Sequence, residues 1–259
     1  MHIKTFLHKT LSSVIHLKRL ETLKELVLSA LKNKQVSVTS LGRGLSGKAS
    51  ERSNIRKSDR FMGNPKLGHD RKFIYKRIIQ LLIGSKKRPW IIVDWSHIPN
   101  TKNYVLRAAL VASGRALTLY EEVHPKAMEN HPKAHKNFLL ALKKMLPGDC
   151  RPVVITDAGF HNPWFREVMK LNWDYVGRVR GKTCYQKKGE LSWQPCSSLH
   201  QRANSKGEYI GEVALGKKDL LETRCYLIKQ KKKGRINLNK LGKKSHYKRD
   251  IYVSPMNFR

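Results

Sequence analysis

Apolar residues recur at helical spacing from Leu11 to Leu31 (Leu11, Val14, Ile15, Leu23, Leu26, Val27, Ala30, Leu31), which predicts one amphipathic helix there. After it the pattern predicts a short helix over Val38–Leu45, a turn at Ser46 and Gly47, and a second helix over Ala49–Met62 stopped by Gly63, a helix-turn-helix-like unit. From residue 89 the apolar runs shorten to strand length. PWIIVDWS (89–96), NYVLRAALVAS (103–113) and RALTLYEEV (115–123) read as three strands, the last two joined by a tight turn at Ser113 and Gly114. KAHKNFLLALKKML (133–146) returns to helical period; RPVVITDAG (151–159) reads as a buried strand, PWFREVMKLN (163–172) as a helix with proline in its first turn, and WDYVGRVRG (173–181) as another strand.

That order, three strands, helix, strand, helix, strand, predicts an α/β fold in which a meander passes into crossover units, the order of an RNase H-like mixed-sheet core. Composition supports folding: 40% of residues are hydrophobic, with five Trp, nine Tyr and seven Phe. No apolar run approaches the ~18 residues a membrane span needs, so the expectation is a cytoplasmic protein with no membrane partner. Cys150, Cys184, Cys196 and Cys225 form no CxxC pair and read as reduced thiols.

Charge changes the picture most. With 53 Lys+Arg against 19 Asp+Glu, the net charge is +34, which calls for a polyanionic partner. It is unevenly spread: +9 over residues 1–60, +7 over 61–89, only +5 over 90–180 and +13 over 181–259. Three regions are therefore expected: a helical DNA-binding region (1–89), a near-neutral RNase H-like catalytic core (90–180) and a basic β-rich segment (181–259). On the second predicted helix Arg52, Arg56 and Arg60 repeat at i, i+4 beside Lys57, a basic stripe suited to DNA. Arg178 and Arg180 alternate along the last core strand and share a face that could line a DNA channel. From Arg224 onward there are 12 Lys/Arg and one acid, Asp250.

Two aspartates carry the candidate chemistry. Asp94 ends the run IIV and Asp157 ends VVIT, positions where a carboxylate is costly unless it emerges into a cleft or binds metal. In the predicted sheet their strands are neighbours, so both would project from one edge and hold Mg²⁺ or Mn²⁺ for phosphodiester chemistry. The competing structural role is that of a turn or helix cap, which applies most to Asp157 before AGFHNPW. HPKA occurs twice (124–127 and 131–134), and His131 with His135 has helical metal-ligand spacing, but Pro132 intervenes and no third ligand is evident. Trp164 is expected to pack inside; Trp193 is expected to be buried rather than stacked on a flipped base.

IIVDWS, VLRAALVASGRALTLYEEV, PVVITDAGFHNPWF, YVGRVRGK and the N-terminal TSLGRGLSGKASERSNIRKSDRFMGNPKL together resemble bacterial insertion-sequence transposases of the DDE type, in the cut-and-paste group that works through a DNA hairpin. The resemblance runs from about residue 36 to about residue 252. It implies that Asp94 and Asp157 are the first two acids of a metal-binding triad. It further implies that the partners are the double-stranded terminal inverted repeats and target DNA, joined in a synaptic complex with a homodimer, in a nucleoid-associated setting. In that group a mostly β insertion interrupts the core, which the resemblance matches to the basic residues 181–259, leaving the core not completed. The group's third acid, a Glu in a Tyr-x2-Arg-x3-Glu-x6-Lys signature beyond that insertion, has no counterpart, and Glu190, Glu208, Glu212 and Glu222 lack that context. The expectation is thus a C-terminally truncated transposase with little or no cleavage activity. The alternatives are a non-catalytic DNA-binding fragment regulating transposition, a basic RNA-binding or ribosome-associated protein, and an RNase H-type nuclease.

Overall fold

The computed structural model describes residues 2–231, 242 and 247–257 of the 259-residue chain. It separates into two compact units, Met1–Gly84 and Ser85–Arg259. The sequence stretches 232–241 and 243–246, which carry much of the basic tail, lie outside the described residues, as do residues 258–259.

The first unit is helical: α1 (Ile3–Leu11), α2 (Leu17–Asn33), α3 (Val38–Arg43), α4 (Glu51–Met62) and α5 (Pro65–Ile83). The single helix predicted over residues 11–31 is in fact the end of α1 and most of α2. The chain breaks at Ser12–His16, where the His16 imidazole accepts a hydrogen bond from the Lys18 amide at 3.3 Å and caps α2. α3 and α4 match the predicted helix-turn-helix-like pair, capped by Ser37 and Ser50. Their backbones cross closely: a Cβ on Gly42 would lie 2.5 Å from Ile55 Cα, so only glycine fits. Leu26, Leu41, Leu45 and Phe61 form one core cluster, and Leu11, Ile15 and Leu20 another. α5 is a helix that the periodicity did not predict, because its basic residues interrupt the apolar spacing; Asn64 caps it and Pro65 opens it. It is tied to α2 by Asp70, whose carboxylate takes two hydrogen bonds from the Arg19 guanidinium at 2.7 and 3.2 Å.

Among the described residues, the second unit is built on one ten-stranded sheet. β1 (Trp90–His97), β2 (Asn103–Ala112) and β3 (Arg115–Pro125) form the predicted meander; α6 (Pro132–Met145) leads to β4 (Val153–Thr156), and α7 (Asn162–Lys170) to β5 (Asp174–Val179). The order is β3-β2-β1-β4-β5, with β1, β4 and β5 parallel and β2 and β3 antiparallel. This is an RNase H-like core. β6 (Cys184–Lys187), β7 (Gln194–Pro195), β8 (Glu208–Leu215), β9 (Leu221–Lys231) and β10 (Tyr247–Ser254) continue the same sheet beyond β5 in the order β10-β9-β8-β6-β7.

Alternation along β1 sorts its two faces. Ile91 and Val93 are buried, whereas Trp90, Ile92 and Asp94 on the other face are exposed. α6 buries Phe138, Leu139 and Leu142, and α7 buries Trp164, Phe165 and Val168. Trp164 is thus internal as expected, and Trp193 is half-buried. All four cysteines are free thiols; burial pushes Cys150 up to about 11 and Cys196 and Cys225 up to about 12, so those three stay protonated and unreactive.

Candidate active site and nucleic-acid interface

β1 and β4 run side by side in parallel, with Ile92 opposite Ile155 and Val93 opposite Thr156. Asp94 and Asp157 are the next residue on each strand, so the two carboxylates emerge together at the carboxyl edge, just past the last paired residues. Both are exposed. Asp94 remains paired on its other side with β2, opposite Arg107. Asp157 Oδ1 accepts a hydrogen bond from the Gly159 amide at 2.8 Å, which closes the turn into α7. The turn-cap role weighed for Asp157 is therefore present, and it engages Oδ1.

The electrostatics of the pair are those of an unneutralised anionic site. Lost hydration at the strand edge pushes the Asp94 carboxyl above its ordinary value, and the neighbouring Asp157 charge adds to the rise; Arg107 opposes it. Arg107 is itself engaged with Glu121 at 2.8 Å. Two carboxylates that repel at an exposed edge, with hard oxygen donors, fit a divalent cation such as Mg²⁺ or Mn²⁺. Among the described residues no third carboxylate, imidazole or thiol joins them as a metal-ligating group. Glu208 pairs with Arg202, Glu212 with Lys188 at 2.9 Å and Arg224 at 3.5 Å, and Glu190 with Lys187 at 3.9 Å. The paired histidines considered as ligands have other work: His131 Nδ1 caps α6 by accepting from the Lys133 amide, and His135 is buried.

Arg178 and Arg180 do share a place. Both line a cavity of about 40 Å³ with Ala158, Phe160 and His161 of the turn that follows Asp157. Arg178 also faces the buried Asp250 at 3.8 Å, which fixes its direction.

In the helical unit the basic stripe divides. Lys57 and Arg60 line a cleft of about 580 Å³ together with Lys18 and Arg19 of α2 and Lys48 of the α3–α4 turn; Arg52 and Arg56 are exposed but lie outside that cleft. Lys57 bonds Glu25 at 2.6 Å, and Arg60 Nε donates to the Arg56 carbonyl at 3.4 Å. The sequence missed Lys18 and Lys48 because they stand on other elements and meet α4 only through the fold.

A sheet of RNase H-like order with two aspartates at adjacent parallel strand ends is the arrangement of a DDE-type domain. The family model described as "Transposase DDE domain" matches residues 85–252, and the chain belongs to that family. No curated protein matches the chain. Among solved structures, the chain is similar to the piggyBac transposase in the cryo-EM structure of its synaptic complex with hairpin DNA, at 12% identity and a TM-score of 0.46, covering 99% of this chain and 58% of that one. No helix among the described residues is long and apolar enough to cross a membrane.

Proposed function

We propose that this chain is an insertion-sequence transposase component that binds the double-stranded terminal inverted repeats through its basic surfaces and holds Mg²⁺ or Mn²⁺ between Asp94 and Asp157 for DNA cleavage and strand transfer. The observation that carries the reading is the register of β1 and β4 within a transposase DDE domain: the two carboxylates leave adjacent strands one residue past Val93 and Thr156. Asp94 and Asp157 would hold the ion, which when bound would supply stabilisation of the charge on the attacking and leaving oxygens of a phosphodiester. The chain's own part is to present two carboxylate groups from a rigid sheet edge, with Arg178 and Arg180 beside the Asp157 turn to meet phosphates. Lys18, Lys48, Lys57 and Arg60 contribute a second phosphate-binding surface from the helical unit. The setting is bacterial nucleoid DNA, and the working form is a homodimer assembled on two DNA ends.

Among the described residues two carboxylates alone face the ion; two such ligands hold it weakly, and a cooperating catalytic set short of one member runs at a small fraction of its rate. The reading therefore includes little or no cleavage by this chain alone. That same observation favours a second reading, a non-catalytic DNA-binding protein that occupies transposon ends and regulates transposition. The test is incubation with supercoiled DNA carrying terminal repeats, in Mg²⁺ or Mn²⁺, alongside Asp94→Ala. DNA binding that falls steeply with salt and exceeds binding to RNA is expected. Nicking lost in Asp94→Ala would restore full catalysis to this chain, and a preference for RNA would remove the transposase reading.

A further inference from the structure

β1 and β4 stop pairing at Val93 and Thr156, one residue before each aspartate. The β1–β4 ladder brings both carboxylates to this edge but stops short of them, and of the two only Asp94 is still held by strand pairing, on its β2 side. On the buried side of the same edge a ring cluster spans the gap. Trp95, the residue after Asp94, donates its indole N–H to His135 Nε2 at 3.0 Å. The other side of that imidazole stacks on Phe160, three residues after Asp157, with centroids 5.1 Å apart and planes at 23°. Trp164 of α7 meets the ring edge-on at 4.9 Å and packs on Phe160 at 4.7 Å. His124 of β3 closes the far side of Trp95 at 5.5 Å.

His135 is only 4% exposed, yet it sits on α6, an element that carries no candidate catalytic group. Its place requires both a flat ring and an acceptor. A phenylalanine keeps the stack on Phe160 but strands the indole N–H of Trp95, and a small residue loses the stack as well. Since Nε2 accepts, the ring proton resides on Nδ1. Burial, together with His131, His161 and His124 nearby, pulls the imidazole down to about 4, so it is a neutral acceptor across the ordinary working range.

We propose that His135 is a positioning residue: through Trp95 and Phe160 it fixes the two chain segments that carry Asp94 and Asp157, and so sets the separation at which the pair takes a divalent cation. The cation half of this statement rests on the function proposed above; the mechanical half does not. His135→Phe removes the acceptor and keeps a ring, and His135→Gln restores an acceptor. Two measurements on the full chain separate the outcomes. Hydrogen exchange at the Gly159 amide, which Asp157 Oδ1 holds in metal-free protein, is expected to quicken about tenfold in His135→Phe and to return toward wild type in His135→Gln. Mn²⁺ affinity, read by electron paramagnetic resonance, is expected to fall about fivefold in His135→Phe with the thermal midpoint little changed. Trp95→Phe is expected to give the same losses, with no further loss in the double variant.

Unchanged Gly159 exchange in His135→Phe overturns the proposal, as does faster exchange spread evenly over the whole sheet. If wild-type protein binds Mn²⁺ no better than Asp94→Asn, the cation reading fails while the exchange result still decides the role of His135.

Discussion

Gly177 lies on β5 with its backbone locked on both sides, opposite Thr156 in β4 and Val253 in β10. An added Cβ would stand 2.2 Å from Phe165 Cζ and 2.4 Å from Cε1. Carbon atoms settle at ~3.5–4.0 Å, so the ring or the strand must move by more than ~1 Å. Neither is free to do so. Phe165 is 1% exposed and stacks on Tyr175 with centroids 4.5 Å apart. Tyr175 is fixed in turn by its hydroxyl donating to Thr223 at 2.9 Å and its carbonyl accepting from Ser254 at 2.7 Å. Overpacking a well-filled core costs about 1–3 kcal/mol, and a site held this firmly belongs at the upper end. For a unit of this size each kcal/mol moves the thermal midpoint by about 2–4 °C, so Gly177→Ala is expected to lower it by about 6–12 °C. All five tryptophans (Trp90, Trp95, Trp164, Trp173, Trp193) fall in the second unit, so tryptophan fluorescence during melting follows that unit alone. Gly148→Ala is the control: nothing lies within 4 Å of its Cβ, and the midpoint should hold or rise slightly. A Gly177→Ala protein melting within ~2 °C of wild type would refute the claim that Phe165 and β5 leave no room beside the Asp157 strand.

The Asp94 pair predicts a pH signature. Because the folded-state pKa of Asp94 is raised, the folded chain binds its proton more tightly than the unfolded chain, and Asp94 destabilises the fold progressively as pH climbs from about its ordinary value of 3.8 through the raised one. Asp94→Asn is therefore expected to melt higher than wild type at neutral pH, with the gap closing toward pH 3.8 in a series of melts; a constant gap would contradict the shift. In the helical unit, Lys57→Ala with Arg60→Ala should weaken DNA binding uniformly across sequences and reduce the slope of log affinity against log salt by about 0.9 per lost phosphate contact. An unchanged slope would move the phosphate contacts out of the cleft that these residues share with Lys18 and Lys48.

What the sequence made readable was local and periodic. Asp94 and Asp157 announced themselves because each ends an apolar run, and a run of that length followed by a carboxylate marks a strand edge. The α3–α4 pair was readable from the turn at Ser46 and Gly47 and the stop at Gly63, while the caps at Ser37 and Ser50 were seen only in the fold. α5 was hidden because basic residues fill its solvent faces, so the stripe packed inward is narrow and irregular. The break between α1 and α2 rests on a histidine cap, which apolar spacing does not register. Arg52, Arg56, Lys57 and Arg60 looked like one surface because a helix wheel alone decides their neighbours; in the fold, Glu25 and the residues of α2 decide instead.

The site shows the same division between what neighbours in sequence and neighbours in space determine. Strand register brings Asp94 and Asp157 to one edge, and that much follows from two apolar runs and the crossover between them. Holding the pair against its own repulsion takes residues that the pattern cannot connect. Arg107 reaches across from β2, the Gly159 amide occupies one carboxylate oxygen, and the Trp95–His135–Phe160 cluster joins residues 40 and 25 positions apart behind the edge. His135 was visible as half of an i, i+4 histidine pair, a spacing that suggests a metal ligand. Burial reverses its role. One ring face is spent on Phe160 and its acceptor nitrogen on Trp95, with Trp164 set edge-on beside them, so it acts on the aspartate pair only through the chain segments it clamps.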